Sequence, residues 1–323
     1  MDRGRCLVNL IYFGNKIEVQ DSVQNLIHGN TSPVNVLSSL EEYENLEEPI
    51  FILLDIENVI NVDEKLVKNI DKIPNPIIGI IAGKEDTFEK VKLFKKCEKI
   101  NHLFFCNPNR VEDDLRRIIS VYGSSESPSI EKMVDLKKLN LYELKSSQDR
   151  HECFDLVEKY TSELKCFSSF KNIAWMISSE LLTNAFYNAP RCEKTGEAKF
   201  PDRKSIVNLD SSQVVKFWYG VDGEYLWLIV EDPFGTLEKQ TLIQSLYRAA
   251  KDKTPNWRVD NGGAGLGLYL MLVNCTEIHF SLSNKTLVAC KLKITKRNKA
   301  FSEEQASMHI FENLNKNKEH RGE

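Results

Sequence analysis

The sequence lacks several features that would each indicate a class of protein. Neither charge is in large excess, since the 323 residues carry a formal net charge of -4 at pH 7, and this argues against a nucleic-acid backbone as the partner. No apolar run approaches the roughly 20 residues that a membrane-spanning helix needs, and no secretory leader is evident. We therefore expect a cytoplasmic protein that binds neither nucleic acid nor membrane.

Closely spaced cysteines are also missing. The eight cysteines lie singly along the chain, without a C-x-x-C motif. Zinc sites and disulfide frameworks usually show close or repeated cysteine spacings. The pattern favours buried thiols in a reducing compartment over bridges or metal ligands.

The first 122 residues alternate short apolar runs with amphipathic stretches, which is typical of parallel strands joined by helices. The predicted strands cover residues 6–13, 49–55, 76–82 and 102–106, and the predicted helices cover residues 62–73, 87–97 and 111–121. This pattern predicts a small, doubly wound α/β domain over residues 1–122. A stretch of Gly, Ser, Glu and Pro follows, and we expect a linker over residues 123–143.

The next segment begins with helical sequence and ends in strands. The predicted helices cover residues 151–166 and 170–187, and the predicted strands cover residues 214–219, 225–232, 277–282 and 286–294. Short turns containing Asp-Gly and Ser-Asn-Lys predict two hairpins. Helices on one face of an antiparallel sheet make an α+β sandwich, which we expect over residues 144–296. Residues 297–323 are mostly polar and predict a frayed helix or a disordered tail.

Three motifs in the second segment have functional chemistry. The first lies on the predicted helix 170–187, where Glu180, Asn184 and Asn188 repeat every four residues and share one face. An Asn carbonyl is a hard oxygen ligand suited to Mg²⁺, and a Glu one turn earlier could accept a proton as a general base. Taken alone, the motif also fits a solvated helix face.

The second motif is Asp232. It follows Glu231, directly after the apolar run Tyr225–Val230. A carboxylate at a strand end can accept a hydrogen bond from the exocyclic amine of adenine. The alternative is that Asp-Pro only begins a turn.

The third motif is a glycine-rich loop that leads directly into a predicted helix and contains Gly263, Gly265 and Gly267. Backbone amides at a helix start suit phosphate oxygens. The loop lacks the Gly-Lys-Ser/Thr of a Walker motif, and no buried strand precedes it as in a dinucleotide fingerprint. A structural glycine turn is the alternative.

Together and in this order, the three motifs resemble the N, G1 and G2 boxes of the GHKL ATPases, which include histidine kinases, gyrase, MutL and anti-sigma-factor serine kinases. The resemblance spans roughly residues 144–294 and implies a Bergerat-type ATPase fold that binds ATP and Mg²⁺. It implies that Glu180 is the catalytic base, that Asn184 coordinates Mg²⁺ and that Asp232 binds the adenine amino group. The other nucleotide-binding residues that we expect are Asn188, Gly235, Gly263, Gly265, Leu266 and Gly267.

The resemblance also implies a mobile lid over residues 236–261. Its cations, which are candidates for the γ-phosphate, are Lys239, Arg248, Lys251, Lys253 and Arg258. The G1 box departs from the family pattern, because Pro233 and Phe234 separate Asp232 from a single Gly235. This departure leaves adenine recognition intact but changes the geometry that the loop can adopt.

The first segment resembles a response-regulator receiver, with Asp55 at the phosphoacceptor position. The accompanying groups differ: Gly14, Asn15 and Lys16 replace the acidic residues, Ile81 or Ala82 replaces the Thr or Ser, and Asn107 replaces the Lys. Because aspartyl phosphorylation needs Mg²⁺ and therefore acidic ligands, the pattern favours a pseudo-receiver used for docking or for homodimerisation over a phosphorylated switch.

A histidine kinase with its own phosphoacceptor is disfavoured, because His151 lies only 33 residues before Asn184, too little chain for a dimerisation hairpin.

Three other functions fit these motifs. The first hypothesis is a bacterial signalling kinase of the anti-sigma type, which phosphorylates or sequesters a protein partner such as an anti-sigma antagonist or a response regulator. The second is a non-catalytic, ATP-gated switch in a two-component-like pathway. A gyrase- or MutL-like ATPase is the third, disfavoured because only a short tail follows.

Overall fold

The structure is a computed structural model. It describes residues 8–13, 34–37, 50–55, 77–82, 100–105, 111–122, 130, 133–192, 194–251, 266–295 and 306–312. The chain divides into two compact units, which we call unit 1 (residues 1–133 and 307–323) and unit 2 (residues 134–306).

Unit 1 is built on a parallel sheet. Its strands are β1 (Val8–Phe13), β2 (Val34–Leu37), β3 (Ile50–Asp55), β4 (Ile77–Ala82) and β5 (Ile100–Phe105), and their order is β2-β1-β3-β4-β5. Consecutive residues of β3, such as Phe51 and Ile52, are fully buried. A strand buried on both faces reads as a continuous apolar run rather than an alternation, which is why four of these strands were predictable.

The other predictions for unit 1 have mixed outcomes. The helix α1 (Val111–Tyr122) confirms the predicted helix 111–121. The strand β2 was not predicted, because four residues are too short to show a pattern. The predicted helices 62–73 and 87–97 lie outside the described residues.

The polar tail contains a strand. Residues 307–312 form β11 (Ser307–Glu312), which pairs antiparallel with β5, so that Met308 lies opposite Leu103. Ile310 and Phe311 are buried together with Met308. The prediction of a frayed helix or disordered tail is therefore wrong for this stretch, because three apolar side chains among polar neighbours suffice for one buried strand.

Unit 2 is built on an antiparallel sheet. Its strands are β6 (Asn140–Leu144), β7 (Val215–Asp222), β8 (Tyr225–Asp232), β9 (Glu277–Leu282) and β10 (Thr286–Lys293), in the order β9-β10-β8-β7-β6. Both predicted hairpins are present. Gly223 takes a positive φ of 62° in the turn between β7 and β8, a conformation that glycine adopts without a steric penalty.

The start of unit 2 differs from the predicted domain boundary. The strand β6 begins at Asn140, inside the predicted linker 123–143, and Asn140 pairs with Tyr219. Leu139 is buried against Gly220, where a methyl group would lie 2.9 Å from the Leu139 side chain. Residues 134–143 thus belong to the folded unit, because this packing is long-range and leaves no mark in the local composition.

The helices of unit 2 are α2 (Arg150–Ser162), α3 (Phe170–Thr183), α4 (Lys239–Lys251) and α5 (Leu266–Asn274). The buried residues Phe170, Ala174, Ile177 and Leu181 recur along one side of α3, which contacts both β8 and α5. A helix with such a stripe buries it against a neighbouring layer. The protein is thus a mixed α/β protein with a parallel sheet in unit 1 and an antiparallel sheet in unit 2.

In the part of the chain that the structure describes, no helix has both the length and the apolar character needed to cross a membrane.

Candidate functional site

The end of α3 carries a row of hydrogen-bonded polar side chains. The Nδ2 atom of Asn184 donates to Oε1 of Glu180 at 3.2 Å, and Nδ2 of Asn188 donates to Oδ1 of Asn184 at 2.6 Å. The prediction that these three residues share one face is confirmed. The row continues through a π turn over Asn184–Asn188, and π turns are rare and occur often at functional sites.

A cavity of about 290 Å³ in unit 2 is lined by this row. Val230, Val288 and Phe280 are register partners on β8, β10 and β9 and form part of its wall. Other lining residues come from α3, α4, α5 and the loops, and they include Leu181, Ala185, Thr236, Leu237, Thr241, Leu242, Ser245, Leu268 and Met271. Its volume is near the lower end of the range for small-molecule sites.

Asp232 faces the same cavity from the end of β8. Its Oδ1 atom accepts hydrogen bonds from the backbone N–H groups of Phe234, at 2.9 Å, and Gly235, at 3.3 Å. The fold therefore joins Asp232 to Glu180 and Asn184, which lie about fifty residues earlier in the sequence. Burial raises the pKa of Asp232 to about 6, and the two backbone N–H groups oppose that rise.

The turn after Asp232 depends on Gly235. Its φ is +60°, and a methyl group there would lie 2.5 Å from the backbone of Asn284 in the β9–β10 turn. The turn therefore requires a glycine at this position.

Thr286 is a site residue that the sequence analysis missed. It lies directly opposite Asp232 in the pairing of β10 with β8, and it lines the cavity. Its hydroxyl is buried near the Asp232 carboxylate, yet it makes no hydrogen bond of normal geometry within the described part of the chain. A buried hydroxyl of this kind is usually satisfied by water or a ligand.

Glu180 is half-buried at the other side of the cavity. Burial raises the pKa of its carboxyl group, while the nearby Arg203 guanidinium and the hydrogen bond from Asn184 oppose the rise. The start of α5 packs directly on this group, because a methyl group built at Gly267 would overlap the Glu180 carboxylate. Gly267 therefore allows the backbone of α5 to lie close to the Glu180 carboxylate.

The glycine loop is only partly described. Helix α5 begins at Leu266, which confirms that a helix follows the loop, whereas Gly263 and Gly265 lie outside the described residues. Within the predicted lid 236–261, residues 239–251 form α4, with Leu242 and Leu246 buried.

The lid cations do not line the cavity where the structure describes them. Arg248 is exposed, its Nε atom donates to the Gln244 carbonyl, and neither it nor Lys239 is among the lining residues. Lys253 and Arg258 lie outside the described residues, as does the side chain of Lys251. The lining cations are instead Arg191 and Arg203, which no sequence motif indicated.

Two further predictions concern residues outside the cavity. Asp55 is the last residue of β3, where its backbone lies beside Ile81 of β4. His151 is exposed on α2 and makes an edge contact with Phe154, as expected for a helix-surface residue. Asn15, Lys16 and Asn107 lie outside the described residues.

Comparison of the chain with known protein families finds no matching family model, and a search of curated proteins finds no similar sequence.

Proposed function

We propose that unit 2 binds Mg-ATP in this cavity and transfers the γ-phosphoryl group to a protein partner, in the manner of the anti-sigma-factor serine kinases. The observation that carries the proposal is the convergence of the Glu180–Asn184–Asn188 row and Asp232 on one cavity. The geometry joins two of the three motifs on which the GHKL resemblance depends, and the start of α5 brings in the end of the third.

Adenine fits the end of the cavity near Asp232. Because Oδ1 accepts both backbone N–H groups, Oδ2 is the oxygen left to accept a hydrogen bond from the adenine amine. The Thr286 hydroxyl lies beside the same carboxylate and helps to stabilise its charged form. Val230, Val288 and Phe280 supply the apolar walls that a flat base needs.

The Asn184 side chain fits the metal. Its Oδ1 is a neutral oxygen one turn from Glu180, and Asn188 now donates to it. Mg²⁺ in nucleotide sites is held mainly by phosphates and waters, with one or two protein oxygens. Asn184 would therefore hold the ion through Oδ1, and Mg-ATP would supply the activated phosphoryl group.

Glu180 is placed to act as the general base. Burial raises the pKa of its carboxyl group, and a base works best when its pKa approaches the working pH. It would accept the proton of an attacking serine or threonine hydroxyl, and its hydrogen bond from Asn184 fixes its orientation.

The strand order in each unit supports a more specific fold assignment. In unit 1 the parallel order β2-β1-β3-β4-β5, with Asp55 ending β3, supports a receiver-like domain. In unit 2 the antiparallel sheet, with the cavity between it and the helices, supports a Bergerat-type fold. We propose that unit 1 serves as a pseudo-receiver for docking or dimerisation in a cytoplasmic signalling pathway.

Two substitutions test the proposed function. In Asp232→Asn the side-chain oxygen should still accept the two backbone N–H groups. The amide NH₂ group then faces the adenine amine, and two donors cannot form a hydrogen bond. We expect at least a hundredfold loss of ATP affinity in calorimetric titration. Glu180→Gln is nearly isosteric, and we expect it to retain ATP affinity within about threefold and to lose phosphoryl transfer.

Phosphoryl transfer is measured with labelled ATP, with both water and proteins of the native cell as acceptors. Equal ATP affinity in Asp232→Asn and the parent would refute the adenine site. Normal ATP binding without transfer by the parent would instead support the non-catalytic, ATP-gated switch.

A further inference from the structure

Two arginines line the cavity. Arg191 and Arg203 are among its lining residues, as are Glu180, Asn184 and Asn188. Both belong to the segment 189–209, which follows the π turn directly. Arg203 lies close enough to the Glu180 carboxylate for its charge to oppose the rise in the pKa of that group. Two exposed arginines that line one cavity are suited to an anionic ligand.

The segment that carries Arg191 is a short hairpin. Arg191 forms an isolated bridge with Ala198. The Cys192 N–H donates to the Glu197 carbonyl at 2.9 Å, and the Lys199 N–H donates to the Pro190 carbonyl at 2.9 Å. The backbone that positions Arg191 is thus paired on both sides of the residue.

Arg203 lies in a tight turn that is tied to the active-site helix. The Lys204 N–H donates to Oδ1 of Asp202 at 2.9 Å, and the Ser205 N–H donates to the Asp202 carbonyl at 3.1 Å. The Tyr187 hydroxyl donates to the Ser205 carbonyl at 2.9 Å. Because Tyr187 belongs to the π turn between Asn184 and Asn188, the same element positions the amides and the turn.

Arg150 contacts the same Tyr187 side chain that binds the Ser205 carbonyl. Its guanidinium lies over the Tyr187 ring, 4.9 Å from the centroid, and donates to the Tyr187 hydroxyl at 3.2 Å and to the Thr183 hydroxyl at 3.1 Å. These contacts tie the turn that carries Arg203 to the π turn that carries Asn184.

We propose that Arg203, assisted by Arg191, binds the terminal phosphate of a nucleoside triphosphate at this site. The inference rests on the proposed function and adds to it a source of phosphate-binding cations in the segment 189–209. A guanidinium can bind two phosphate oxygens at once. The charge that it neutralises is present in the triphosphate and missing from the diphosphate, so the arginines select for the triphosphate.

The experiment compares the affinities of two nucleotides. Calorimetry measures the Kd of Mg²⁺-loaded ADP and of an ATP analogue with a nitrogen bridge between its β- and γ-phosphates, which blocks turnover. The variants are Arg203→Ala, Arg203→Lys and Arg191→Ala in the full chain. Lys204→Ala is the matched control, since Lys204 is an exposed cation in the same turn and does not line the cavity.

We expect Arg203→Ala to weaken binding of the triphosphate analogue at least tenfold and to change ADP affinity less than twofold. Arg203→Lys should lie between, because a point charge replaces the two-pronged group, and Arg191→Ala should show a smaller selective loss. Lys204→Ala should match the parent.

The outcomes separate this inference from the proposed function. If Arg203→Ala weakens ADP and the analogue equally, or weakens neither, the inference is overturned while the nucleotide site stands. If the parent binds neither nucleotide, both proposals fail. Thermal unfolding of each variant identifies any loss that comes from the fold, and such a loss would affect both nucleotides alike.

Discussion

At the scale of single residues, the buried carboxyl group of Asp232 lowers the free energy of unfolding at neutral pH. Burial raises its pKa from 3.8 to about 6, so the folded chain binds the proton more tightly than the unfolded chain does. Stability therefore falls as the pH rises from about 4 to about 6, by about 3 kcal/mol at 1.36 kcal/mol for each unit of pKa difference. At neutral pH the fold carries this unfavourable contribution, as expected of a group kept for binding.

Nucleotide binding should depend on the same ionisation. In the proposed complex the carboxylate accepts a hydrogen bond from the adenine amine, and the protonated acid loses that interaction. Affinity should therefore be constant above a pH of about 6 and fall up to about tenfold for each pH unit below it. The probe is adenosine, because it lacks the phosphates that titrate in this range. Its Kd is measured by calorimetry between about pH 8 and pH 5.

The control is Glu180→Gln, which should show the same pH profile. A constant adenosine affinity down to a pH of about 5 would contradict the assignment of Asp232. A parallel loss of helical circular dichroism would show instead that acid unfolds the chain.

At the scale of elements, the contact between α3 and α5 governs the orientation of Glu180. The first turn of α5 approaches so closely that Gly267 has no room for a side chain beside the Glu180 carboxylate. This contact explains a glycine within the first turn of a helix, where glycine is otherwise unfavourable by about 1 kcal/mol relative to alanine.

Gly267→Ala should therefore displace Glu180. The carboxylate is the end of a flexible side chain and can move aside, so we expect the unfolding free energy to change by less than about 1 kcal/mol. ATP turnover should fall at least tenfold, with ADP affinity within about threefold of the parent. Turnover is followed as phosphate release, and stability as urea unfolding.

Gly223→Ala provides the comparison for that variant. Gly223 has a positive φ of 62° and nothing within 4 Å of an added methyl group, so its substitution strains the β7–β8 turn without touching the site. Equal losses of turnover in the two variants would show that general destabilisation, rather than displacement of Glu180, is the cause.

At the scale of the whole molecule, the chain returns to unit 1 after completing unit 2. The strand β11 lies beside β5, and Met308, Ile310 and Phe311 are buried there. None of the cavity-lining residues belongs to this strand. The buried side chains of β11 and the residues that line the cavity thus come from different parts of the sequence.

Deletion of residues 307–323 should reveal this division. Removing three buried apolar side chains, each worth about 1.5–3 kcal/mol, should lower the unfolding free energy by several kcal/mol and leave a sheet edge open to aggregation. ATP affinity should stay within about threefold of the parent. The measurements are urea unfolding, light scattering and nucleotide titration.

A shorter deletion of residues 313–323 retains β11 and serves as its control. If both deletions had the same stability, β11 would contribute nothing to unit 1.

Much of this molecule was determined by the sequence itself. Short apolar runs predicted four parallel strands, and in β3 consecutive residues such as Phe51 and Ile52 are buried, so that both faces of that strand are covered. A four-residue spacing predicted the row of Glu180, Asn184 and Asn188 because helical periodicity is local. Asp-Gly likewise predicted the hairpin at Gly223, since the turn needs a positive φ.

Other features depend on contacts between distant residues, and only the tertiary structure decided them. Thr286 lies beside Asp232 because β10 pairs with β8. The strand β11 forms because it pairs with β5. Arg203 lines the cavity from a turn whose Ser205 carbonyl accepts a hydrogen bond from the Tyr187 hydroxyl, and no sequence motif indicated it. Local sequence cannot encode such placements, because they are set by the register of strands and by packing between residues far apart in the chain.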